Sequence, residues 1–176
     1  MSRRVRAAVA GAVAATVWGI VEPLDQRLLR CDYSDVAVLG KAVTRGPHWR
    51  AAGFAIHAAN GAVFGLVFDE LRRRVPVGPR KLAVAMALAE HTALYPTCGL
   101  IDRYHPARGE PGIPPLLTNP RAFAQATWRH LLFGAVLGEV ERRLNPPDTE
   151  PRPVDAVTAA SNGHGSAEHL VSISPN

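Results

Sequence analysis

His57-Ala-Ala-Asn60-Gly61-Ala-Val-Phe64-Gly65-Leu-Val67 reads against His130-Leu-Leu-Phe133-Gly134-Ala-Val-Leu137-Gly138-Glu-Val140, 73 residues further along the chain. Each copy sets one polar histidine and two glycines, four residues apart, inside an apolar run. The same offset carries Pro23 onto Pro96, Arg30 onto Arg103 and Pro47 onto Pro120. Compared without gaps, residues 7–72 and 80–145 share 14 identities in 66 positions. The match falls on His, Gly and Pro, residues with specific backbone or polar roles. It predicts a duplicated helical hairpin, with repeat 1 over about 5–72 and repeat 2 over about 80–144.

Around these copies the chain alternates apolar and polar segments. Four stretches, about 5–21, 51–68, 82–101 and 122–140, are dominated by Ala, Val, Gly, Leu and Phe. Each approaches the ~17–25 residues that carry a helix across a bilayer. Arg, Asp and Pro cluster between them. The expected fold is all-α: an integral membrane four-helix bundle built from two parallel helical-hairpin repeats, related by a pseudo-two-fold along the membrane normal. Small residues at four-residue spacing, such as Gly61/Gly65 and Gly134/Gly138, let helix backbones approach closely. A soluble bundle is the competing architecture, but 5–21 and 51–68 lack a clear polar stripe.

Ser2-Arg-Arg-Val-Arg6 before an apolar run has the form of a secretory signal. That run continues past its Ala-x-Ala positions to Trp18 and Glu22, so it reads as the first membrane helix. Helix one is expected to end at Glu22-Pro23, where proline interrupts the pattern. Ser34 then N-caps a short interfacial helix through Val43. Helices two to four are expected at about 50–70, 80–95 and 121–143, with 96–101 continuing helix three beyond a kink. Residues 102–120 read as an irregular loop. From 145 to 176 the composition predicts a disordered cytoplasmic tail after a 1–144 membrane domain.

The chain carries 20 basic and 15 acidic residues, a net charge of +5. The basic residues gather at the ends of the apolar stretches, and no nucleic-acid-binding signature is present. The expected partners are therefore the lipid bilayer and a membrane protein or second copy of the chain, not nucleic acid. Eleven Lys and Arg fall near the termini and the 69–81 loop, against eight on the other side. By the positive-inside rule both termini are cytoplasmic in an inner membrane. Arg outnumbers Lys 18 to 2, a bias typical of high-GC bacteria. The His-x-x-x-Gly-x-x-x-Gly helices resemble segments of small bacterial inner-membrane proteins of unknown function, a resemblance that implies no activity.

The candidate site is an intramembrane polar constellation: His57, Asn60, Glu90, His91, Arg129 and His130. Counting about 1.5 Å per residue from the helix starts puts His57, Glu90, His91 and His130 near mid-bilayer. Ionisable groups there are costly and often mark function. Glu90 and Arg129 are expected to neutralise each other across helices three and four. His57 and His130 form a symmetric pair suited to ligating haem or a transition metal, with the glycines below leaving space for a flat macrocycle. Alternatively, His57, Glu90, His91 and His130 form a proton or ion relay of a small transporter. The leading expectation is an interaction or scaffold role, with the polar residues bonding helix to helix.

Glu22, Asp25 and Asp102 read as solvated helix-end carboxylates, or as a surface cation site. Glu139 is expected to pair with Arg142 or Arg143. Cys31 and Cys98, the only cysteines, lie on the same side of the membrane and are placed to form a disulfide joining the repeats. No Walker loop, nucleophile elbow, zinc-protease or dinucleotide motif is present, so no enzyme activity is expected.

Overall fold

The computed structural model describes residues 1–146, and the expected tail from 147 onward lies outside the described residues. Those residues form six α-helices and one 3-10 turn, with no strand among them. They are α1 (Arg3–Leu29), α2 (Asp35–Val43), α3 (Trp49–Arg72), α4 (Pro79–Leu94), the turn Tyr95–Thr97, α5 (Cys98–Tyr104) and α6 (Pro120–Leu144). Two of them, α1 and α3, are long and apolar enough to cross a membrane.

Local chemistry sets most boundaries. Ser34 Oγ accepts from Ala37 N at 3.0 Å and starts α2. Asn119 Oδ1 accepts from Arg121 N and Ala122 N, and Pro120 follows as the first residue of α6. Pro79 takes the same place in α4, where its missing N–H costs nothing. The Pro96 break gives a 3-10 turn, after which α5 continues the chain to Tyr104.

Pro23 behaves differently from expectation. It lies inside α1, which runs on to Leu29 and stops at Arg30 in the left-handed region, at φ 51°. A proline inside a helix forfeits one hydrogen bond. The extra turn and a half places Asp25 and Gln26 where they bond elsewhere in the fold, which offsets that loss. Asn145 also departs from expectation. It caps α6, and its side chain donates to Glu141 Oε2 at 2.7 Å, so it belongs to the folded unit.

Two close helix crossings organise the packing. In one, α1 meets α3: a methyl added at Gly61 would strike the Gly11 carbonyl, and one at Gly65 the Ala7 carbonyl. In the other, α4 meets α6: a methyl at Gly134 would lie 2.7 Å from Val84 Cα, and one at Gly138 2.7 Å from Arg80 Cα. Ala7, Gly11, Gly61 and Gly65 stand 73 residues before Arg80, Val84, Gly134 and Gly138, so the two crossings use equivalent positions. A third close approach docks α2 on α3, with Gly40 against the Trp49 carbonyl and Gly53 against that of Val36. The pairs are joined where α1 packs on α6, whereas α3 and α4 barely touch. Small and aromatic side chains, including Ala14, Trp18, Phe68, Phe133 and Leu137, fill the interior.

The α1–α3 crossing yields a prediction. Gly61→Val should lower stability by roughly 1–3 kcal/mol or more, because backbone rather than a flexible side chain stands in the way. Ala59→Val, on the exposed side of the same helix, should stay within about 0.5 kcal/mol. Thermal unfolding followed by circular dichroism in detergent compares the two; equal effects would show that the crossing is not close.

Candidate functional site

Arg129 is fully buried and sits between α1, α2 and α6. Its guanidinium forks onto Asp25, with Nε at 2.7 Å from Oδ2 and Nη2 at 2.6 Å from Oδ1. Nη1 donates to Asp35 Oδ2 at 2.9 Å and lies 3.6 Å from Glu22 Oε1. Nη2 also donates to the Tyr33 carbonyl at 3.0 Å, and the Tyr33 ring packs 5.1 Å from the guanidinium carbon. A planar fork of five N–H groups suits such a multi-acceptor setting.

Each carboxylate has further donors. Gln125, one turn before Arg129, donates to Asp25 at 2.6 Å. Asp35 accepts from Trp18 Nε1 at 3.0 Å and from the Tyr33 hydroxyl. Glu22 accepts from the Ser34 hydroxyl at 2.5 Å and from the backbone N–H groups of Asp35 and Val36, so it completes the N-terminus of α2. Burial opposes the charged form of Asp35, but Arg129 outweighs it and holds the carboxyl below its ordinary range. Burial, then Asp35, pushes the Tyr33 phenol well above its ordinary value, so it serves as a donor.

This corrects two expectations. Arg129 is neutralised by Asp25 and Asp35 rather than by Glu90. Glu22 and Asp25 are buried partners of that guanidinium, not solvated carboxylates or a surface cation site. Asp102 is also structural, accepting from Leu116 N and Leu117 N at 2.8 and 2.9 Å. Glu139 pairs with Arg142 and Arg143 as expected, and also with Arg80.

The remaining polar residues gather beside the cluster. His57 and His130 pack edge-to-face on the Trp18 indole, with centroids at 5.1 and 4.7 Å. His130 Nδ1 lies 2.7 Å from the Ala126 carbonyl. A carbonyl only accepts, so Nδ1 carries the proton and Nε2 faces Glu90 at 3.7 Å. The imidazole stacked on His130 is His91, at 4.7 Å, whose Nε2 meets Thr127 Oγ1 at 2.9 Å. His57 is 9% exposed, and its Nε2 is buried without a hydrogen-bond partner. His57, Asn60, Glu90 and His130 line one cavity of about 250 Å³ together with Trp18 and Asp35. A smaller cavity of about 160 Å³ adjoins it through Tyr33, Glu90 and His130 and reaches His91.

The structure thus brings Asn60, His57, Glu90, His91 and His130 together around the cavities and assigns Arg129 to the neighbouring cluster. The glycines below the histidines leave no slot for a flat macrocycle, because Gly61 and Gly134 press against the backbones of Gly11 and Val84. Among the described residues no group of three or more His, Cys, Asp or Glu is arranged to hold a metal ion. Cys31 and Cys98 are free thiols, not a disulfide; both belong to an apolar cluster with Tyr95 and Leu116.

Sequence reasoning missed Trp18, Tyr33, Asp35 and Gln125 as members of the site. Trp18, Glu22 and Asp25 stand at i, i+4 and i+7, a single face of one helix, and the pattern is visible once α1 continues through Pro23. Gln125 precedes Arg129 by one turn in the same way. No protein-family model matches this chain, and no curated protein or solved structure matches it either.

Removal of one partner from a buried charge cluster is costly. Arg129→Ala should therefore destabilise the fold by about 3–5 kcal/mol, since it leaves buried carboxylates uncompensated. Arg129→Lys should fall between wild type and alanine, keeping the charge but not the fork. Chemical unfolding of the three proteins orders them, and an alanine variant as stable as wild type would contradict the central role of the guanidinium.

Proposed function

We propose that this chain is a multi-pass inner-membrane interaction protein that receives its binding partner in the cleft between α3 and α4. The observation carrying this reading is the convergence of His57, Asn60 and Glu90 on a cavity at the seam between helices that barely touch. In this reading α1, α3, α4 and α6 span the bilayer as two parallel hairpin repeats, with both termini in the cytoplasm. The equivalent glycine crossings support the duplication.

The exposed surfaces support the membrane placement. Val9, Val13, Ile20 and Leu24 project from α1, Val63, Leu66 and Val67 from α3, and Phe123, Trp128 and Leu131 from α6. An apolar surface of this extent is unusual for a soluble monomer. Arg3, Arg4, Arg73, Arg74, Arg142 and Arg143 then frame it at the end that holds both termini of the described unit. The scaffold side of the role rests on the Arg129 cluster, which ties helices together, and the binding side on the cleft.

A relay is the second reading, favoured by the run Glu90, His130, His91 at 3.7 and 4.7 Å. It is ranked lower because the cavity is closed toward the Arg3 end. There the Gly61 and Gly65 crossing, Phe68 and Leu137 pack without exposure.

Two measurements test these readings. In a Cys31→Ser/Cys98→Ser background, Val77→Cys should label only from the cytoplasm and Thr118→Cys only from outside, in membranes that resist alkaline extraction. Recovery in the soluble fraction, or reversed labelling, would sink the membrane placement or its orientation. Proteoliposomes should hold a pH gradient as well as protein-free vesicles do; a leak abolished by Glu90→Gln would make the relay the better reading.

A further inference from the structure

The cleft has a chemical preference that follows from its lining. From the seam inward, Val63, Phe64, Val67, Met86 and Ala89 form an apolar groove of about 560 Å³ that ends at Asn60 and Glu90. Beyond those two residues the 250 Å³ cavity continues, walled by Trp18, Phe64 and Phe133. Asn60, Phe64 and Glu90 line both spaces, so the apolar groove leads into a polar, aromatic chamber. The Glu90 side chain is 41% exposed, and its nearest charged neighbour is the His130 imidazole at 3.7 Å. His57 presents the buried, unpartnered Nε2 to the same chamber.

Charge decides among possible occupants. Neither space is lined by a lysine or arginine. The nearest guanidinium, Arg129, is already committed to Asp25, Asp35 and Glu22. A phosphate or carboxylate head would therefore meet only the carboxylates of Glu90 and Asp35. An ammonium head would gain a charge-assisted hydrogen bond at Glu90, donate to His57 Nε2 or the Asn60 carbonyl oxygen, and face aromatic rings that attract cations. Its alkyl tail would lie along the groove.

We propose that the α3–α4 cleft binds an amphiphilic primary amine, with its ammonium group at Glu90 and its alkyl chain along Val63, Val67 and Met86. This rests on the reading of the cleft as the protein's binding site and adds the chemistry of the ligand. A zwitterionic phospholipid head carries the same ammonium but brings a phosphate for which the cleft has no cation. The occupant is therefore a singly charged amine.

The test uses the full chain in phosphatidylcholine nanodiscs, with Trp49→Phe and Trp128→Phe leaving Trp18 as the sole reporter. Dodecylamine should change Trp18 emission saturably, and dodecanol should bind about tenfold or more weakly, the size expected of one charge-assisted hydrogen bond. Glu90→Gln should remove that difference. Asn60→Leu, at an exposed position, supplies a second variant that should block entry. Equal binding of amine and alcohol by the wild-type chain overturns the ammonium assignment while leaving the cleft as a binding site. Undiminished amine binding by Glu90→Gln overturns the placement of the head. Competition by discs containing phosphatidylethanolamine overturns the choice of a singly charged amine. If neither dodecyl compound gives a saturable change, the cleft is not a binding site, and the proposed function falls with the inference.

Discussion

A single guanidinium, that of Arg129, holds three separate parts of the chain in register. Stripping such a group of water costs several kcal/mol unless its donors are met with good geometry. Meeting them here requires α1 to continue beyond Pro23, so that Asp25 reaches the fork. It requires the 30–34 segment to turn back over the end of α1, so that the Tyr33 carbonyl is in place. It also requires α2 to begin at Asp35, which Glu22 and Ser34 bring about together. Arg129 thus links a long helix, a return loop and a short helix through one set of hydrogen bonds. The Trp18 indole joins the set through Asp35, and the histidines of the cavity pack on that indole. The binding cleft is in this sense built on the ion cluster.

Two kinds of force divide the assembly between them. Close backbone contact joins α1 to α3 and α4 to α6, because the glycines remove the side chains that would keep those helices apart. Charge joins α1 to α6. Neither acts between α3 and α4, which leaves the seam open. The polar residues that face it, Asn60 and Glu90, are accordingly the ones not consumed by the fold.

The sequence patterns made some features legible and hid others for definable reasons. The apolar runs marked the four long helices to within a few residues, because their ends coincide with Ser, Asn and Pro caps that act locally. The Pro96 break was legible for the same reason. The passage of α1 through Pro23 was not, since local rules favour a stop there and the compensating bonds come from residues far along the chain. The partner of Arg129 was hidden likewise: Asp25 lies 104 positions away, and Glu90 looked suitable only because it shares an apolar setting. Glu90, His91, His130, His57 and Asn60 were recognisable as a group because ionisable and amide side chains are rare within apolar helices. Their division into cleft residues on one hand and the Arg129 cluster on the other depends on helix rotation, which periodicity alone does not fix.

The offset of 73 residues explains where the opening falls. It carries α1 onto the α4 to α5 segment and α3 onto α6, so a symmetric molecule would make the α1–α6 and α4–α3 contacts alike. On one side the contact is closed by Arg129 with Asp25. The equivalent positions on the other side are Ile56 and Cys98, which have no charge to exchange. Gln125 likewise falls opposite Ala52, and Glu22 opposite Tyr95. The glycine crossings recur at both places, so each hairpin is held within itself, whereas only one of the two contacts between hairpins has an ion cluster to hold it shut. The seam therefore lies where the second copy lacks the charges of the first, and Glu90, which aligns with Val17, is left facing it.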